Sequence, residues 1–137
     1  MAGFTNYLED KVINHLFGGT AYTVNFTWYC GLLTAVPSDS GAGTEVSGGS
    51  YARQSLAWTI TGSGTAQAAT SAALTFPTAT ADWGNIQWAG VYDALTGGNL
   101  VAFEVLTKAD FSTANPKVVN TGDIFKIDTG NLKIQLD

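Results

Sequence analysis

Few residues in this chain have types that do chemistry, and their spacing limits what each can do. Asp128-Thr129-Gly130 copies the three-residue signature of aspartic proteases. That reaction needs two such carboxylates sharing a proton, which a chain with a single motif supplies only by dimerising. Asp-Thr-Gly is also ordinary turn chemistry, and here it lies between two short strand patterns, where a hairpin turn is expected. His15 is the only histidine and Cys30 the only cysteine. A zinc site needs several such ligands converging, and a triad needs a base beside its nucleophile. His15 therefore reads as a solvated or interfacial side chain. Cys30 has no partner for an intrachain disulfide and reads as a small buried hydrophobe in an apolar strand. The glycine-rich runs lack phosphate-loop spacing, and no Gly-Lys-Ser/Thr follows any of them. Asp39, Glu45, Asp82 and Asp93 are not at calcium-loop spacing. No catalytic, cofactor-binding or metal-binding residue is assigned.

Two features remain for a binding role. Arg53 is the only arginine. It stands just past Pro37–Ser50, a connection of fourteen residues without apolar period. Connections that long in a small domain tend to be functional or disordered. Arg53 is the candidate anchor of this loop, through Asp39, Glu45 or a backbone carbonyl. The second feature is aromatic. Trp28, Trp58 and Trp88 fall on the more apolar faces of strand patterns and read as core. Trp83, between Asp82 and Gly84, is the candidate exposed aromatic, of the kind that stacks on a sugar ring.

The elements that must position these residues follow from periodicity. Leu8, Val12 and Leu16 recur every four residues, with Ile13 and Phe17 widening the stripe, so residues 5–17 are expected to be a helix. Asn6 and Glu9 are spaced as a capping box, and Gly18-Gly19 supplies the stop. The stripe Leu8, Val12, Ile13, Leu16 and Phe17 either packs on its own domain or docks on a neighbouring subunit, which makes it the candidate interface. Alternating or short apolar runs over residues 26–33, 51–61, 65–76, 85–93, 100–106, 117–119, 124–127 and 132–136 are expected to be strands. The pair around Thr96-Gly97-Gly98-Asn99 reads as a hairpin. The fold class is therefore all-β, a β-sandwich or jelly-roll of about eight strands with one N-terminal α-helix. Residues 1–19 form an N-terminal helix or arm, and residues 20–137 a single β-sandwich domain.

Composition bounds the partners. Hydrophobic residues make up 45% of the 137 residues and charged ones only 12%, against about 25% charged in typical domains. So neutral a surface suits a subunit packed among neighbours, because interface cores are depleted in charge. The net charge is −5 and the lysines are scattered, so no nucleic acid is expected as partner. The N-terminus shows no basic region ahead of an apolar run, hence no expected signal peptide. No apolar run is long enough to span a bilayer, hence no expected membrane partner.

Phe4-Thr5-Asn6-Tyr7-Leu8-Glu9-Asp10-Lys11, Leu16-Phe17-Gly18-Gly19-Thr20-Ala21-Tyr22, Tyr29-Cys30-Gly31-Leu32-Leu33-Thr34-Ala35-Val36-Pro37-Ser38-Asp39 and Gly43-Thr44-Glu45-Val46-Ser47-Gly48-Gly49-Ser50-Tyr51-Ala52-Arg53 together resemble a family of small tailed-bacteriophage structural proteins usually labelled phage tail-fibre-like. The likeness is strong over roughly the first 55 residues and weaker through Trp88–Ala94 and Gly97–Leu100. It implies a virion structural protein without enzyme activity or cofactor, made in the host bacterial cytoplasm. Its implied partners are other phage structural proteins, either the major capsid protein or tail proteins. A homo-oligomer is expected, the trimer being the form typical of capsid cement proteins. Tail fibres usually carry a long shaft, and no shaft repeat is present here. A head decoration (capsid cement) protein on the outer surface of the major capsid protein is thus the first expectation. A tail-fibre or tail-tip component contributing to host recognition is the alternative.

Overall fold

The computed structural model describes residues 3–24, 26–62, 66–108 and 113–136. A two-residue strand, β1 (Gly3–Phe4), leads into the helix α1 (Asn6–Leu16). The helix ends where the glycines require it. Thr20 N–H bonds back to the Asn14 carbonyl at 3.2 Å, across Gly19 with its left-handed φ of 70°. Its start differs from the expected capping box. Thr5, not Asn6, occupies the N-cap, and no side chain caps the helix. The Thr5 hydroxyl instead donates to the Leu100 carbonyl at 2.6 Å. The reason is tertiary: β1 brings Thr5 alongside a strand, whose carbonyl takes the hydroxyl before the helix can use it.

The remaining strands are β2 (Trp28–Ala35), β3 (Thr44–Glu45), β4 (Gln54–Leu56), β5 (Trp58–Thr61), β6 (Ala66–Thr70), β7 (Leu74–Thr75), β8 (Gly84–Ile86), β9 (Trp88–Tyr92), β10 (Leu100–Val105), β11 (Lys117–Val119), β12 (Lys126–Ile127) and β13 (Lys133–Leu136). The chain is all-β with one N-terminal helix, as expected, and the pairs among the described strands are antiparallel. The strands are shorter and more numerous than the eight expected. Residues 51–61 divide because β4 pairs with β2 whereas β5 pairs with β6, so the chain passes from one sheet to another at Ala57. Residues 65–76 and 85–93 divide in the same way. Residue 65, where the expected strand 65–76 begins, lies outside the described residues, as do 63–64 and 109–112.

The main sheet runs β1-β10-β9-β2-β3, with β4 also on β2. β11 pairs with β8 and β12 with β7, while β13-β6-β5 form a three-stranded sheet. β2 is central, and Cys30, Leu32 and Leu33 are fully buried, which explains why it is apolar on both faces. The expected start of this strand at Phe26 is too early: Phe26 lies ahead of β2 and is 90% exposed. The core draws Leu74, Phe76, Ile86, Val119 and Phe125 from the smaller sheets onto Cys30, Leu32, Ala89 and Val91 of the main one. The expected hairpin is present as β9–β10, with a bulge between Leu100 and Ala102.

Candidate interaction site

The Pro37–Ser50 connection is folded rather than free. Its middle forms β3, which pairs Glu45 with Leu33 of β2, and Val46 beyond it is buried. This register carries the Glu45 side chain to the side of β2 where Gly31 lies. There its carboxylate accepts Nε and Nη2 of Arg53, both at 2.7 Å, in the two-pronged geometry that favours arginine–carboxylate pairs. The Tyr51 hydroxyl donates to the same carboxylate at 2.7 Å and accepts the Leu32 N–H at 2.9 Å. Nη1 of Arg53 donates to the carbonyls of Ala94 and Gly97, at 2.7 and 2.8 Å. The guanidinium lies over the Tyr92 ring, 3.5 Å from its centroid. Arg53 thus ties the long connection to the β9–β10 turn, across four hydrogen bonds. Asp39, another partner open to it on sequence grounds, instead accepts the Asn6 N–H through its backbone carbonyl.

Gly31 makes room for this cluster. A Cβ there would stand 2.7 Å from the Tyr92 ring and 2.8 Å from the Glu45 carboxylate. The electrostatics follow from burial. Desolvation works against the Arg53 charge, and Glu45 outweighs it, leaving the guanidinium pKa above its ordinary value. Burial, then the Glu45 carboxylate, push the Tyr92 hydroxyl and the Cys30 thiol each up to about 12. Burial followed by the hydrogen bond to Glu45 raises Tyr51 further still. A thiol held protonated in this way is not a nucleophile, and the polar groups named here are spent on one another.

The far end of the same connection overturns one expectation. Trp83 is not an exposed aromatic but part of the core, at 6% exposure. Gly48, Gly49 and Ser50 have successive positive φ values of 75°, 57° and 61°, a conformation that glycine adopts without steric cost. This turn brings the Gly49 carbonyl to the indole N–H of Trp83 at 2.9 Å, and Tyr51 packs edge-on to the ring. The indole is roofed by a turn that no local pattern around Trp83 announces.

The helix is the second place to look. Its first turn is held in the body, since Phe4, Tyr7 and Leu8 pack against the core. Its second half is not: Ile13, Leu16 and Phe17 are 57%, 63% and 81% exposed. Leu8, Val12 and Leu16 form one wall of an apolar groove of about 440 Å³. The main sheet supplies Trp28 and Val101 to the other side, and the three-stranded sheet supplies Trp58, Ile60 and Ile134. Trp28 and Trp58, expected in the core, are half-buried walls of this groove. His15 also lines it, accepting the Tyr22 N–H on Nδ1 at 3.1 Å.

Asp128 behaves as a turn residue. It is exposed and ion-paired with Lys126 at 3.0 Å, and its carbonyl accepts the Asn131 N–H across Gly130. Asp82 takes the N–H and hydroxyl of Thr121, which hold its pKa below the ordinary carboxylate value. Among the described residues no three His, Cys, Asp or Glu side chains group as a metal site, and no helix is long and apolar enough to cross a membrane.

Of the residues named on sequence grounds, Arg53 lies in the cluster, Leu8, Val12 and Leu16 line the groove, and Ile13 and Phe17 are exposed outside its lining. Sequence reasoning missed Tyr51, Tyr92 and Gly31, for which a lone arginine near several tyrosines was the only signal. It also missed the groove, whose walls come from distant segments. No curated protein matches the chain. A family model described as podophage GP4 fiber I protein gp80 matches residues 3–135, which span the fold from β1 into β13. On that match the chain belongs to the podophage GP4 fiber I protein family.

Proposed function

We propose that this protein is a non-enzymatic structural component of a phage virion, built into a tail fibre, where it works by holding contacts. The observation that carries this reading is the family match over nearly the whole chain. The geometry is in keeping with it. The Arg53–Glu45 ion pair is closed on itself as a clamp, and an apolar groove lies open beside a half-exposed helix. Head decoration, the first expectation from size and low charge, has less support than the fibre reading, because the matching family is described as a fibre protein.

Within this reading the stripe Leu8, Val12, Ile13, Leu16 and Phe17 is the docking surface toward a virion neighbour, and Arg53 is the anchor that keeps the long connection in shape. The test is immunogold labelling of purified particles with antibodies to this chain. Label on tails or fibres with bare heads is the expected result. Label distributed over the heads would replace the fibre reading with head decoration, and particles without label would remove the virion role.

A further inference from the structure

The groove beside α1 carries a more specific inference, which rests on the virion reading above only for its biological setting. We propose that this groove, with the apolar side chains around it, is a self-association surface that receives a second copy of this chain.

The first ground is that the patch contains both halves of an interface. The hole is the groove of about 440 Å³. An apolar cavity of about 150 Å³ takes a benzene ring, so this one has room for more than one aromatic side chain. The knobs adjoin its lining along the chain. Phe17 follows Leu16 of the groove wall, and Phe26 lies between Val24 and Trp28, both of which line it. Phe17 is 81% and Phe26 90% exposed. A symmetric homo-oligomer needs one patch to present knob and hole together, whereas a docking site for an unrelated protein needs only the hole.

The second ground is area. Ile13, Leu16, Phe17, Val24, Phe26 and Ile60 are exposed by 57%, 63%, 81%, 39%, 90% and 69%. At about 200 Å² per aromatic and about 120 Å² per aliphatic side chain they present roughly 600 Å² of apolar surface. A stable interface takes about 800 Å² from each partner, polar rim included. A patch of this size is at the upper end of what a monomer leaves in water.

The third ground is charge. The chain carries −5 overall, so two copies repel at long range. Of the residues that line the groove, His15 and Tyr22 are the only titratable ones, so no carboxylate of one copy is driven into the apolar surface of the other. Glu9, Asp10 and Lys11 lie on α1 outside the groove lining, where a wet rim accommodates them.

Sedimentation equilibrium of the purified full chain tests this over about 1–100 μM, the range in which a micromolar contact titrates. Wild type is expected to associate, and the double variant Phe17→Ser/Phe26→Ser to weaken that association at least tenfold while melting as the monomer does. Both side chains are exposed, so their loss costs the isolated fold little. As a readout that keeps both phenylalanines, a nitroxide on Glu9→Cys, exposed and outside the groove lining, with Cys30 buried and unlabelled, should give a defined distance between copies by pulsed dipolar spectroscopy. Wild type that stays monomeric throughout, or a double variant that associates unchanged, overturns the proposal. If wild type is monomeric and the double variant is lost from assembled particles, the face serves another virion protein; the second-copy inference then falls and the virion reading stands. If the chain self-associates through this face but no particle contains it, the inference stands and the virion reading falls.

Discussion

Arg53→Ala is the perturbation that most directly tests the clamp. It removes four hydrogen bonds, two to Glu45 and one each to the carbonyls of Ala94 and Gly97, together with the stacking on Tyr92. The Glu45 carboxylate is left with the Tyr51 hydroxyl as its remaining partner from the cluster. One-sided removal of a buried ion pair costs about 3–5 kcal/mol. The Arg53 side chain is 7% exposed and that of Glu45 is 23% exposed, so water reaches the carboxylate and the lower end applies, about 3 kcal/mol. For a chain of this size each kcal/mol lowers Tm by about 3–5 °C, which gives a drop of about 10–15 °C. Urea unfolding should show the same loss as a lower midpoint with unchanged slope. The loss is local in origin, so limited proteolysis should open Pro37–Ser50 before the rest of the chain. A double-mutant cycle with Glu45→Gln should return a coupling above about 1 kcal/mol. A midpoint within about 0.5 kcal/mol of wild type, or a loop as resistant as before, would show that the clamp does not hold the loop.

Three further outcomes follow from the same region. Gly31→Ala should destabilise by about 1–3 kcal/mol, because its Cβ meets the Tyr92 ring and the Glu45 carboxylate; equilibrium unfolding checks it, and a neutral result would mean the cluster can shift. Native protein should resist thiol reagents at neutral pH and react once unfolded, since Cys30 is fully buried and its thiol is pushed up to about 12. Stability should fall in alkali. Cys30 and Tyr92 rise from 9.0 and 10.0 to about 12 on folding. Between those values the unfolded chain releases protons that the folded chain keeps, so stability is full below about pH 9 and declines toward about pH 12. Urea midpoints at about pH 8 and about pH 11 should differ in that direction, and equal midpoints would contradict the burial of these groups.

Legibility differed sharply between neighbouring features. The helix was readable because Leu8, Val12 and Leu16 repeat at its own period and Gly19 must stop it, both properties of adjacent residues. Its cap was not, because Thr5 spends its hydroxyl on a strand far along the chain. The β9–β10 hairpin was readable from its turn. The division of residues 51–61 between two sheets was not, since alternation is the same whichever sheet a strand joins. Glu45 was one of the partners open to the only arginine, and it is the carboxylate that Arg53 pairs with; the two carbonyls of the β9–β10 turn depend on where that hairpin lands. Trp83 failed as an exposed aromatic because what covers it is a turn more than thirty residues earlier.

The residues alone therefore determined the all-β class and the single helix with its apolar stripe, because each is expressed in composition or in contacts a few residues apart. Only the tertiary structure decided which side chains meet. It put Glu45, Tyr51, Arg53 and Tyr92 into one part-buried cluster beside Gly31, sealed Trp83, and left a groove open beside α1. Those outcomes depend on strand register and on which sheet each short strand joins, and both are chosen by the burial of the whole chain at once rather than by any local pattern.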